Sequence, residues 1–385
     1  MGGPLNGVRV VDLTAVGMGP YATQILGDMG ADVIKVESPD GDLFRHAAPC
    51  RHAGMGATYL NLNRNKRSIV LDLKQTAQLE ILRRLIRKAD VFVSSIRPRA
   101  MRKLSLDYES LSAAQPRLIY CGVYGFSEAG PYAGRPAFDD IIQAMSGLAA
   151  LQGYNEPDGP RYVNTIVADK TAGLTAAWAI AMALYERERS GRGQAVEVPM
   201  CETMVSFNWI EHLGGETFVP AAGEMGYSRV LSPHRRPYRT KDGYIGLMPY
   251  TNAHWVRFFT LGGRPELASE ARFADPASRS RNVGELYGIL AEMVAGKTTA
   301  EWEELLRDSD IPMTRVLSAE DLLRDPHLLA VGMFREEEHP TEGRIRTLGI
   351  PVRFSRTPGS VRRPAPGLDA DRDSVLEELE DNPRP

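Results

Sequence analysis

The chain has 385 residues, 43% hydrophobic and 25% charged, which is the balance of a globular protein with enough apolar material for more than one core. Its 46 basic and 49 acidic residues give a net charge of −3, so no global field draws it to nucleic acid or to an anionic membrane. Cys50, Cys121 and Cys201 stand far apart with no histidine at metal-ligand spacing, and there is neither a run of about 18 apolar residues nor a basic-then-apolar leader; disulfide framework, zinc site and membrane span are not expected, and the expected compartment is the cytoplasm.

Residues 8–13 (VRVVDL) read as a buried strand, followed by a Gly/Pro loop at Val16–Pro20, a helix over Tyr21–Met29 and a second strand over Asp32–Glu37, which together make a βαβ unit. Pro20 suits the first helical turn, where its missing N–H is not needed. A strand is expected at Ser68–Leu73, a helix at Ala77–Lys88, strands at Asp90–Val93 and Arg117–Val123, then the Gly/Pro-rich segment Gly125–Pro136. Thr165–Val167 is β-branched and reads as a short strand, and Thr171–Leu184 as an Ala-rich buried helix that ends near Arg189, before a strand at Ala195–Val198. This alternation predicts an α/β large domain over residues 1–204, a mostly parallel sheet covered on both faces. Gly214-Gly215, Pro220 and Gly223 mark a linker over 205–235. A turn at Lys241-Asp242-Gly243, the strand YIGLM and amphipathic helices around Trp255, Leu286 and Trp302 form a smaller α/β domain over 236–322. Residues 323–385 are rich in proline and arginine and close with a short acidic helix.

Three features carry chemistry. Asp169 sits between an apolar run and a helix start, where exposed backbone N–H groups stabilise its charge; it reads either as an ordinary cap or as a nucleophile, which as a carboxylate needs no general base to be ionised at pH 7. No histidine stands in a Ser/His/Asp or Cys/His pattern. Gly17-x-Gly19 followed by Glu37 imitates a dinucleotide fingerprint, but the third glycine is missing and Pro20-Tyr21 stands where the backbone must approach a pyrophosphate, so NAD and FAD are not expected. The loop still lies at the carboxyl end of a first strand, and a nucleotide-containing ligand stays open. Arg64, Lys66, Arg67 and Lys74, then Arg97, Arg99, Arg102 and Lys103, follow two strands of one sheet; they read either as solvated faces or as the binding site of an anionic cofactor.

The motifs together resemble one family from end to end. VRVVDLT…GP…LGDMGADVIKVESPDGD, LNLNRNKRSIVLDLK, RPRAMRKLSLDYESL, PRLIYCGVYGFSEAGPY, QAMSGLAALQG, ALYERERSGRGQAVEV, TKDGYIGL and DPHLLAVGMF…GIPVRFSRTP are similar to the class III CoA-transferases, the CaiB/BaiF family. The resemblance implies a Rossmann-like large domain and a small α/β domain, with the C-terminal segment returning to the large domain, in an interlocked homodimer. It implies acyl-CoA and small carboxylic acid substrates, with no metal or tightly bound cofactor. The family's nucleophile falls on Asp169, and its CoA contacts on Gly17, Met18, Leu71, Asp72, Leu73, Lys74, Ser95, Ile96, Arg97 and Lys103, with Phe138 and Asp139 beside the thioester.

Three departures matter. Ser95 and Ile96 stand where the family often has asparagine and an aromatic. Arg229–Tyr238 (RVLSPHRRPY) replaces the glycine-rich flap of the oxalate and formate enzymes, so oxalate is not the expected acceptor. Arg229, His234 and Arg235 there read either as a solvated basic loop or as a second carboxylate site, which suggests succinyl-CoA as donor and a short dicarboxylic acid as acceptor. The family's racemases carry a proton-moving histidine in GHDINY; the matching stretch here is AFDDII, and Phe138 moves no proton. The alternatives are an acyl-CoA racemase or epimerase and a catalytically silent CoA-binding relative.

Overall fold

The computed structural model describes residues 2–380. Strands Arg9–Leu13 (β1), Asp32–Glu37 (β2), Lys66–Val70 (β3), Val91–Ser94 (β4), Ile119–Tyr124 (β5) and Ala195–Pro199 (β6) pair in parallel, in the order β3-β2-β1-β4-β5-β6. Neighbouring residues on a strand serve opposite faces. Val10, Val33, Val91 and Val93 pack with the helices Met18–Asp28 and Val167–Ser190, whereas Val11, Ile34, Ile69 and Phe92 pack with the helix Thr76–Arg87 and the C-terminal helix Arg372–Glu380. Burial on both faces is why β1, β2 and β4 carry adjacent apolar residues (Val10-Val11, Val33-Ile34, Val91-Phe92-Val93) rather than strict alternation. The strand order reverses between β1 and β4, and a crevice forms outside the carboxyl ends of strands at such a reversal.

The chain separates into two compact units. The first joins the chain up to Ala150, Arg161–Asn208 and the stretch from Leu329 onward; the second comprises Leu151–Pro160 and Trp209–Leu328, so a short excursion inside the expected large domain belongs with the second unit. In the second unit Tyr238–Arg239 (β7), Tyr244–Leu247 (β8) and Met313–Arg315 (β9) form an antiparallel sheet in sequence order. Helices Asn252–Leu261, Val283–Ala295 and Thr299–Leu306 cover it around a core of Trp255, Phe258, Leu286 and Trp302, whose indole N–H donates to the Val294 carbonyl at 2.9 Å.

Several expectations need correction. Thr165–Val167 is not a strand: the N–H groups of Thr165 and Val167 each reach back two residues, at 2.7 Å, and the helix already begins at Val167. Asp169 is therefore inside the first helical turn and does not cap it. The first helix starts at Met18 rather than Tyr21, with Gly17 as its N-cap. A hairpin, Phe334–His339 (β10) and Gly343–Leu348 (β11), occupies part of the segment read as proline- and arginine-rich, where no strand was expected. Its strands are held by Glu336 between Arg344 and Arg346, a charge pattern with no apolar alternation to betray it.

The C-terminal segment closes the outer edge of β3. Asp371 and Asp369 accept the Ser68 and Val70 N–H groups at 2.9 and 2.7 Å, and Glu378 pairs with Arg9 and Arg67 at 2.8 and 2.6 Å. Among the described residues no helix is long and apolar enough to cross a membrane, and no group of three metal-ligating side chains forms.

Candidate active site

The site begins where β1 ends. Asp12, fully buried, accepts hydrogen bonds from the Thr14 N–H at 3.0 Å, the Thr23 hydroxyl at 2.6 Å and the Lys66 ammonium at 3.1 Å. Burial opposes its charge, yet the ammonium groups of Lys66 and Lys35 outweigh that and hold its carboxyl below the ordinary value. On the other side of the loop, Lys35 joins the Thr14 carbonyl to Asp42, both at 2.9 Å, and Asp42 accepts the Val16 N–H at 3.1 Å. Between these anchors Val16 has φ of 69°, a left-handed conformation that is costly for a β-branched residue.

The loop then meets the long helix. A Cβ on Gly17 would lie 2.4 Å from Asp169 Oδ2, so only glycine lets the carboxylate rest on this backbone. The Met18 N–H faces the Asp169 carboxylate and favours its ionised form. Asp169 is 7% exposed, and its own N–H donates to Asp139 Oδ1 at 3.0 Å. Asp139 is fixed in turn by the Gln143 amide at 2.6 Å, and Gln143 by the Val163 N–H at 2.9 Å. Burial first, and the Asp139 charge second, push the Asp169 carboxyl up to about 7 against the pull of the Met18 N–H.

Asp169 opens into a hollow of about 280 Å³ that Val16, Met18, Arg97, Glu128, Arg135 and Phe138 also line. The Arg135 guanidinium stacks 4.2 Å over the Tyr132 ring. A second hollow of about 420 Å³ shares Ala15 and Ser95 with the first and extends over β2 along Pro39, Leu71, Asp72, Leu73, Lys74 and Ile96. Both lie at the carboxyl ends of the strands that flank the reversal of strand order.

The expected contact residues thus fall in several places. Leu71, Asp72, Leu73, Lys74 and Ile96 line the larger hollow, Met18, Arg97 and Phe138 the smaller, and Ser95 both. Gly17 lies beneath Asp169. Asp139 is behind it, its two oxygens turned to the Asp169 amide and to Gln143, and the exposed Lys103 lines neither hollow. Arg229, His234 and Arg235 belong to the second unit, where Arg229 donates to the Tyr227 hydroxyl at 3.2 Å.

The first basic cluster is mostly structural. Arg64 pairs with Asp28 at 2.7 Å, Lys66 with Asp12, and Arg67 with Asp32 and Glu378; all three are buried, and a buried cation needs such partners. Of that cluster, Lys74 lines the larger of these two hollows, and Arg64, Lys66 and Arg67 line neither. Sequence reasoning missed Asp42, whose partners lie across a loop, and Gln143, whose position four residues after Asp139 on one helix face was the available signal. Cys121 is no rival nucleophile, since burial pushes its thiol up to about 12.

The family described as CoA-transferase family III matches residues 5–372. Succinyl-CoA:glutarate CoA-transferase of Mus musculus is 33% identical over 383 residues, 98% of this chain and 86% of that protein. Acetyl-CoA:oxalate CoA-transferase of Acetobacter aceti is 33% identical over 379 residues, 95% of this chain and 93% of that protein. The crystal structure of a CaiB/BaiF family protein from Brucella suis superimposes with a TM-score of 0.82 at 32% identity, covering 98% of this chain and 100% of that one.

Proposed function

The chain belongs to CoA-transferase family III, and from that premise we propose that Asp169 is the acyl-accepting nucleophile in the transfer of CoA between two carboxylic acids. The observation that carries the reading is a buried carboxylate in the first turn of a helix, facing the Met18 amide, anchored through its own backbone N–H to Asp139, and opening into a hollow at the strand-order reversal. An Asp169 oxygen attacks the donor thioester carbonyl and CoA thiolate leaves, giving a mixed aspartyl anhydride. The thiolate attacks the aspartyl carbonyl, which releases the donor acid as its carboxylate and leaves an aspartyl-CoA thioester. The acceptor carboxylate attacks that thioester, expelling the thiolate and forming a second anhydride. Attack of the thiolate on the acceptor's acyl carbon then frees Asp169, with no net proton uptake. When the aspartyl carbonyl is the electrophile, the Met18 N–H is placed to take the charge that develops on its oxygen.

In this reading Leu71, Asp72, Leu73, Lys74, Ser95 and Ile96 hold the nucleotide end of CoA in the larger hollow, and Arg97 and Lys103 supply charge for its phosphates. Phe138 beside Asp169 favours transfer over racemisation, which needs a second proton-moving group. Relatives acting on glutarate and on oxalate are equally similar, so identity does not choose the acids. The choice of succinyl-CoA as donor and a short dicarboxylate as acceptor rests on the cationic Arg229, His234 and Arg235 segment. An interlocked homodimer is supported by an apolar stripe on the long helix, Leu174, Trp178, Met182 and Tyr185, at 50, 53, 62 and 68% exposure. Three free cysteines fit a reducing cytoplasm.

The test is intact-protein mass spectrometry after incubation with succinyl-CoA and hydroxylamine. An aspartyl hydroxamate mapping to Asp169, absent from Asp169→Ala, is the expected outcome. Unlabelled protein that still binds CoA and exchanges an α-proton with deuterated solvent would replace transfer by epimerisation.

A further inference from the structure

We propose that Asp42 is a positioning residue for the transfer: its carboxylate, neutralised by Lys35, holds Val16 in the left-handed conformation and so aims the Met18 N–H at the Asp169 carboxylate. This rests on Asp169 being the nucleophile. The Asp42 and Lys35 side chains are both fully excluded from solvent and pair at 2.9 Å. One Asp42 oxygen serves Lys35, and the other accepts the N–H groups of Val16 at 3.1 Å and Phe44 at 3.0 Å. Lys35 also grips the Thr14 carbonyl at 2.9 Å, so the loop is clamped two residues apart by one ion pair.

What the clamp holds is a conformation the loop would otherwise leave. At φ of 69° the valine Cβ crowds its own backbone, and such a residue persists only where its surroundings over-determine it. Were Val16 to relax to negative φ, the next two peptide planes would rotate with it. Those planes carry the Gly17 backbone on which Asp169 rests and the Met18 N–H that faces it. The groups that face Asp169 from other elements are Asp139, from the helix Asp139–Met145, and Arg97, Tyr124, Glu128 and Arg135 around the hollow. None of them touches Asp42, so a change there reaches Asp169 through the loop.

The experiment is the pH profile of kcat for wild type, Asp42→Asn and Val16→Gly/Asp42→Asn. In Asp42→Asn the amide oxygen is drawn to Lys35 and the Val16 anchor is lost. The Met18 N–H favours the ionised form of Asp169, so losing it moves the acid limb to higher pH, with kcat at saturating acyl-CoA falling about tenfold or more. Glycine takes positive φ without strain, so adding Val16→Gly returns the limb toward wild type. A purely structural ion pair predicts a less stable protein with an unmoved limb and no recovery, and that result overturns the proposal. If Asp42→Asn strands the buried ammonium and does not fold, Lys35→Met/Asp42→Ala removes both charges and the acceptor; the same upward shift is expected, and an unmoved limb is equally fatal. Wild type that takes no hydroxylamine label at Asp169 overturns the nucleophile reading and this one with it, whereas a labelled wild type with an unmoved variant limb overturns this one alone.

Discussion

Asp169 is set between opposing demands. Its reaction requires the ionised form, yet burial and Asp139 raise its carboxyl to about 7 from 3.8, so ionisation is costly in the folded protein. A group whose native pKa is raised contributes stability that is complete below the unfolded pKa and is lost as pH rises through the native one. Asp169→Asn, which carries no charge to bury, is therefore expected to be more stable than wild type above pH 7, by about 2–4 kcal/mol from a shift of roughly three units. The gap should narrow as pH falls toward 4. Urea denaturation at pH 8, 6 and 4 checks this, and a gap that does not vary with pH contradicts it. The residue was legible in sequence because it is a carboxylate at the foot of an apolar helix. Its environment was not: Asp139 lies 30 positions away, and the Met18 amide reaches it only because the fold brings the two helix starts together. Burial was equally hidden at Lys66, whose charge suggests a phosphate site but which sits inside the protein, where burial pushes its ammonium down to about 8.

The helices Met18–Asp28 and Val167–Ser190 carry the two halves of the site and approach closely at Gly173. A Cβ there would lie 2.7 Å from the Met18 carbonyl and 3.1 Å from the Tyr21 ring. Gly173→Val is expected to cost about 1–3 kcal/mol by overpacking and, by pushing Met18 away from Asp169, to lower kcat as well. A drop in melting temperature with unchanged kcat would show that the spacing serves packing alone. The alternation of strand and helix was readable because doubly covered strands such as β1, β2 and β4 carry adjacent apolar residues between helical stretches; with β3, β5 and β6 they form one parallel sheet. Thr165–Val167 misled because β-branching favours strands locally, while the tight bends there and the helix that follows are set by packing on Gln143 and Asp139. The β10–β11 hairpin escaped because its partners are glutamates and arginines rather than alternating apolar residues.

At the scale of the whole molecule, the long helix is apolar on both sides. Ala168, Ala172, Ala176 and Ile180 face the sheet, while Leu174, Trp178, Met182 and Tyr185 face outward. A helix that is hydrophobic all round is normally buried all round. Trp178→Glu, or Met182→Glu with it, is expected to convert the proposed dimer to a smaller species in sedimentation velocity; an unchanged coefficient would leave that stripe without a role in assembly. The seal on the β3 edge has a consequence of its own, for biosynthesis. Asp369, Asp371 and Glu378, which satisfy that edge and the Arg9 and Arg67 charges, follow the residues they serve by about 300 positions or more. On the ribosome the second unit is whole before the first can be, and the nascent protein carries an open strand edge until those residues emerge, the kind of surface that chaperones and neighbouring nascent chains recognise.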